Sequence, residues 1–241
     1  MGAGILLTGG GADIDFMIKG VFPYQLFGQT LWITTTHICL VIVMLVIIVF
    51  SILAKRVMKK AAEVPSGFQN VVEMVVEMLD RMINSAMGKH APKFRNYIGT
   101  LFIFILLSNI SGLFGLRPPT ADYGVTLALG LITFVMINFN EIKHQKMSGY
   151  FKALLDPWPI WMPINLISKV AIPMSLSLRL FANILSGAVM MALVYGMLSQ
   201  VALIWPAALH VYFDLFSGSI QTYVFCMLTM TYIASVCETE S

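Results

Sequence analysis

Charge is what this sequence most lacks. Only 11% of its 241 residues are Asp, Glu, Lys or Arg, against 58% hydrophobic, and a soluble domain carries roughly 25% charged residues. Its three cysteines, Cys39, Cys226 and Cys237, form no CxxC pair, so neither a disulfide framework nor a thiolate metal site is indicated. There is no HExxH, no pair of membrane aspartates and no GxSx serine with a partner histidine, which argues against an intramembrane hydrolase. No internal repeat is visible, which weighs against transporters built from duplicated halves. Residues 1–29 contain Gly9-Gly10-Gly11, Asp13 and Asp15, with neither a basic start nor a compact apolar core. They read as a short external tail, not a signal peptide.

Long apolar runs are what the chain has, and several reach the ~20 residues that cross a bilayer core. The expected fold is all-α: a polytopic membrane protein with about five membrane helices and one interfacial amphipathic helix, in a single membrane domain over residues 1–241. The first span is placed at 30–54, closed by Lys55, Arg56, Lys59 and Lys60. In 66–88, Glu73, Glu77, Asp80, Arg81 and Asn84 recur at helical spacing opposite Val, Met, Leu and Ile. Such a helix has one polar face and is too charged to span. It suits the membrane interface, and a soluble helix hairpin is the other reading.

A hairpin of two spans follows over 97–140, interrupted near Arg117-Pro118-Pro119. The last third, 160–236, reads as two long helices, 164–199 and 207–236, separated by Trp205-Pro206. At 1.5 Å per residue they would be about 54 and 45 Å long, well over a ~30 Å hydrocarbon core. They must tilt steeply, or the first must break at Pro173.

The basic residues orient the spans. Lys55, Arg56, Lys59, Lys60, Arg81, Lys89, Lys93, Arg95, Lys143, Lys146 and Lys152 fall on one side, and Lys19 and Arg117 on the other. The N-terminus is therefore expected outside and the C-terminus in the cytoplasm.

Between Lys169 and Asp214 the only formally charged side chain is Arg179. A central arginine costs roughly 2.5–3.5 kcal/mol on insertion scales, so such a charge is a functional candidate by default. Snorkelling works near a helix end, but Arg179 lies ten residues beyond Lys169, about 15 Å along the axis. A static pair with Asp214 is the structural alternative. Arginine holds its proton far more tightly than lysine, so it remains a fixed cation where lysine could neutralise. It attracts a passing carboxylate and cannot relay protons.

Ser175, Arg179, Asn183 and Ser186 share one helical face, and His210, Asp214, Ser217 and Gln221 share another. Two polar lines on neighbouring membrane helices suit a water-accessible ion route, since lipid would leave such groups unsatisfied. His37 and Cys39 read as packing residues, and Asn109 as an interhelical hydrogen-bonding group. Trp32, Trp158, Trp161 and Trp205 suit interfacial anchoring. No metal site, cofactor or nucleic-acid partner is called for by these residues.

"SLSLRLFAN" (175–183) and "IQTYVFCMLTMTYI" (220–233), with "PINLIS", "SNISGLFG" and "PPTADYGVTLALG" upstream, resemble subunit a of the F-type ATP synthase. The likeness covers most of the chain from about residue 95. It implies a non-catalytic stator subunit, with two ion half-channels (for protons, on the first reading) against a rotating c-ring, coupling ion flow to ATP synthesis. The family's indispensable arginine falls on Arg179, its motif asparagine on Asn183 and its last-helix glutamine on Gln221. The expected partners are c-ring subunits, b-type peripheral-stalk subunits, other ATP synthase subunits and membrane lipid. The expected place is a bacterial cell membrane rather than an organelle.

The chain also departs from the pattern. Ala182 replaces a common glycine, Ala188 a common acid, Asp214 a histidine of some members, and Ser168-Lys169 the neighbourhood of a usual acid. The polar partner is then expected wholly on the last helix, with His210 one turn from Asp214. Lys169 is open between an access channel and an interfacial anchor. The rival reading is a freestanding ion-coupled carrier or channel.

Overall fold

The computed structural model describes residues 20–26, 29–59, 67–114, 116–155, 158–197 and 209–238. The first 19 residues of the expected tail, Lys60 and the Trp205-Pro206 connection lie outside the described residues. A short antiparallel hairpin opens the fold, β1 (Gly20–Leu26) against β2 (Gln29–Thr34). The first membrane helix, α1, therefore begins later than the sequence suggested, at Thr35–Met58. The six residues of β2 are rich in β-branched and aromatic types, which suit a strand.

The rest is helical: α2 (Phe68–Met87), α3 (Ala91–Ile110), α4 (Tyr123–Leu155) and α5 (Met162–Met197). A π-helical stretch, Val211–Ser217, then runs straight into α6 (Gly218–Glu238). Five helical stretches are long and apolar enough to cross a membrane, so the chain is a polytopic, all-α membrane protein. Its outward surface agrees: Val41, Leu45, Ile48, Val135 and Phe139 are each about half exposed or more.

α5 runs 36 residues without breaking at Pro173. Of the two sequence options, interruption at the proline is thus not the one taken, and about 54 Å of helix exceeds a ~30 Å core unless inclined. The α4–α5 pair is close at this point: a Cβ added to Gly130 would lie 2.8 Å from the Pro173 carbonyl oxygen. Only glycine permits that approach.

Register between helices follows from paired residues. Asn183 meets Ser217 and Gly187 meets Phe213, so four steps forward on α5 match four steps back on the π segment. The two run antiparallel. The same argument holds for α3 and α4 through Lys93–Asn140 and Tyr97–Thr133. The core lies where α2, α3 and α6 meet, around Ile83, Phe94, Ile98, Ile105, Phe225 and Met230, with Leu176 and Leu180 of α5 closing it. In lipid this packing is held by van der Waals fit and hydrogen bonds rather than by exclusion of water. α2 commits Leu79, Ile83 and Met87 to that core and leaves Glu77, Arg81 and Asn84 exposed. The positive φ of Gly88 separates it from α3.

Candidate functional site: a polar seam between α5 and the π segment

Arg179 is exposed on the outer face of α5, together with Ser175 and Ser186. Leu176, Ser177 and Leu180 point the other way, into the protein. Among the described residues Arg179 makes no ion pair or hydrogen bond. The static Arg179–Asp214 pair is therefore not the arrangement found. Asp214 instead faces His210, with Nδ1 and Oδ2 3.0 Å apart.

Asn183 turns partly inward and joins the two polar lines: Ser217 Oγ donates to its Oδ1 at 3.0 Å. Ser186 Oγ donates to the Asn183 carbonyl at 2.9 Å. Of the eight predicted residues, Asn183 and Ser217 are brought into contact across helices, and His210 and Asp214 along one. Ser175, Ser186 and Arg179 share an outward face. Gln221 is half-buried, and its Nε2 has no hydrogen-bond partner among the described residues. An unmet amide donor in a membrane interior is costly.

The π geometry sits under Asp214. Widened helical turns of this kind recur at functional sites, and here close neighbours accommodate one. A Cβ on Gly112, just after α3, would lie 3.1 Å from Asp214 Cγ, so glycine there makes room for the carboxylate. At the junction with α6, the fully buried Asn109 donates from Nδ2 to the Gly218 carbonyl at 3.0 Å and to Thr222 Oγ1 at 3.2 Å. Thr120 Oγ1 in turn donates to Asn109 Oδ1 at 2.8 Å. From sequence this bracing amide is similar to an asparagine of the family and equally fits an interhelical hydrogen bond. Its partners Thr120 and Thr222 were not foreseen, because no spacing rule links residues so far apart in the chain.

Lys169 is neither a lone anchor nor open to solvent. Its Nζ pairs with Glu141 Oε1 of α4 at 2.6 Å, and the two side chains are only 22% and 10% exposed. Cys39 is buried as expected, with its Sγ 3.7 Å from Ser111 Oγ. His37, in contrast, is exposed and hydrogen-bonds Thr34 Oγ1 at 2.7 Å, so it is not a packing residue.

The profile of the family described as ATP synthase A chain matches residues 37–234, a stretch holding every residue of this seam. The chain belongs to the ATP synthase A chain family. One relative is "ATP synthase subunit a, sodium ion specific" of Propionigenium modestum, 37% identical over 204 residues, covering 78% of this chain and 70% of that protein. Another is "ATP synthase subunit a 1" of Crocosphaera subtropica, 36% identical over 196 residues, covering 80% and 83%. "ATP synthase subunit a" of a Sulfurihydrogenibium species is 35% identical over 205 residues, covering 82% and 95%. Family membership makes the chain a non-catalytic, multi-pass membrane subunit of ATP synthase, serving ion transport, and favours that role over a freestanding carrier.

Proposed function

We propose that this subunit supplies two offset half-channels beside a rotating ring of membrane-carboxylate subunits, with Arg179 as the fixed cation between them. An ion enters from outside along the seam of His210, Asp214, Ser217 and Asn183 and neutralises a ring carboxylate. Only the neutral carboxylate readily faces lipid. The ring turns until that site reaches the second half-channel and releases the ion to the cytoplasm. Arg179 draws the freed carboxylate past and denies the ion a direct path. Ser175 and Ser186 flank it on the rotor face, and Gln221 continues the polar line of the last helix behind it. A transmembrane potential is worth about 2.3 kcal/mol per charge per 100 mV, which drives rotation and hence ATP formation elsewhere in the complex.

The observation carrying this reading is Arg179, without an ion pair among the described residues, on an outward face of α5 that it shares only with neutral side chains such as Ser175, Leu178 and Ser186. A guanidinium in that position needs an anionic partner from outside the chain. The ion is a proton on this reading, and the sodium-specific relative keeps Na⁺ as the alternative. The orientation has the N-terminus outside and the C-terminus in the cytoplasm of a bacterial cell, with α2 in the cytoplasmic interface. A b-type peripheral stalk holds the subunit still. Cysteine at Ser175 or Ser186 should form disulfides with cysteines placed near the ring carboxylate of the purified complex. Absence of such cross-links, with other faces of α5 cross-linking instead, would place the rotor elsewhere.

A further inference from the structure

α2 and α3 do not close on each other along their full length. Between them runs a groove of about 290 Å³, lined from α3 by Arg95, Asn96, Gly99 and Ile103. Across it stand Val76, Leu79 and Ile83 of α2, and also Asp80, whose Oδ1 lies 2.9 Å from Arg95 Nε. Both charged side chains remain partly exposed, at 47% for Arg95 and 27% for Asp80. The groove thus carries one cation and one anion at the same end.

Its polarity changes along α3. Arg95 and Asn96 lie near the start of the helix, and Ile103 is eight residues further on, about 12 Å along the axis. Since α3 crosses the membrane, this runs from the interface into hydrocarbon. A charged mouth over an apolar floor matches the gradient within a phospholipid, from headgroup to acyl chain. The volume is at the small end for ligand sites, which start at ~300 Å³, so it suits a headgroup with the first part of a chain.

We propose that this groove is a binding site for one phospholipid whose headgroup carries a phosphate and a primary ammonium, as in phosphatidylethanolamine. Arg95 donates to the phosphate, and Asp80 accepts from the ammonium, each keeping the other as near neighbour. A quaternary ammonium has no N–H to donate to Asp80. A headgroup without a cation leaves the single Arg95 to balance both the phosphate and Asp80. Ile103 and the exposed Val76 receive the upper acyl chain. Gly99 keeps the floor open: a Cβ there would meet nothing within 4 Å, so a larger residue enters the groove rather than the core.

The test is native mass spectrometry of the intact, detergent-purified complex, stripped of lipid and titrated with phosphatidylethanolamine, phosphatidylcholine or phosphatidylglycerol. Saturable retention of one phosphatidylethanolamine per copy of this subunit is expected, at least tenfold tighter than either other lipid. Gly99→Leu and, separately, Asp80→Asn should each remove that preference while the complex stays assembled. Equal retention of the three lipids, or an unchanged preference in Gly99→Leu, overturns the proposal. So does a disulfide between Thr100→Cys and a helix of another subunit, which would show the groove already filled by protein. None of these outcomes depends on the rotary role of Arg179.

Discussion

Asn109 is where the structure makes its most quantitative demand. Its side chain is fully buried and makes three hydrogen bonds, from Thr120 and to Gly218 and Thr222. Replacing it with alanine removes all three. The Gly218 carbonyl keeps a donor, since Thr222 Oγ1 bonds it at 2.8 Å. Thr120, fully buried, loses its acceptor. Side-chain hydrogen bonds between membrane helices average about 0.6 kcal/mol each, and an orphaned buried group costs about 1–3 kcal/mol. Three bonds on the first scale and one orphan on the second both give a loss near ~2 kcal/mol, or ~30-fold in the folded fraction.

The assay is reversible denaturant unfolding of the purified subunit in mixed micelles. Asn109→Leu alone should be destabilised by a similar amount, because Thr120 is still orphaned. Adding Thr120→Val to Asn109→Leu removes the orphan, and apolar replacement of both partners can be nearly neutral. The double variant should therefore recover to within ~1 kcal/mol of the parent. If Asn109→Ala were as stable as the parent, or the double variant no better than Asn109→Leu, the bracing role would be refuted.

Three further outcomes follow from the same geometry. Gly112→Ala places a methyl 3.1 Å from the Asp214 carboxyl carbon; ion-driven ATP synthesis should fall several-fold while assembly, followed by native gel, is unchanged. Cysteines at His210, Asp214, Ser217 and Gln221 should react with water-borne thiol reagents, whereas one at the fully buried Phe225 should not; uniform inertness would reduce the seam to helix packing. Lys169→Met strands the Glu141 carboxylate, a loss of about 3 kcal/mol in unfolding measurements for a mostly buried pair, and Glu141→Gln in the same chain should recover most of it.

The sequence carried the large features because membranes impose them. Runs such as 36–54 can be nothing but lipid-facing helix, and Arg179 is conspicuous because no other formal charge lies near it in the chain. Helical spacing also grouped Ser175, Arg179, Asn183 and Ser186 on one face; Ser175, Arg179 and Ser186 are exposed there, while Asn183 turns partly inward to Ser217. Three things were not legible. The β hairpin over residues 20–34 is hidden in the sequence because its second strand flows directly into an apolar run, which puts the expected start of the span at 30 instead of Thr35. The π stretch under Asp214 is packed by Gly112, and its junction with α6 by Asn109, neither of which is near it in the chain. The Glu141–Lys169 pair joins residues 28 apart on different helices. Periodicity reports one helix at a time, and these features are decided between helices.

The most direct measurement is ATP synthesis driven by an imposed ion gradient in vesicles carrying the complex with Arg179→Ala. Our account predicts a fully assembled complex with synthesis abolished, because no fixed positive charge remains to pass the ring carboxylate from one half-channel to the other. Synthesis at near-parental rates in that variant would contradict it.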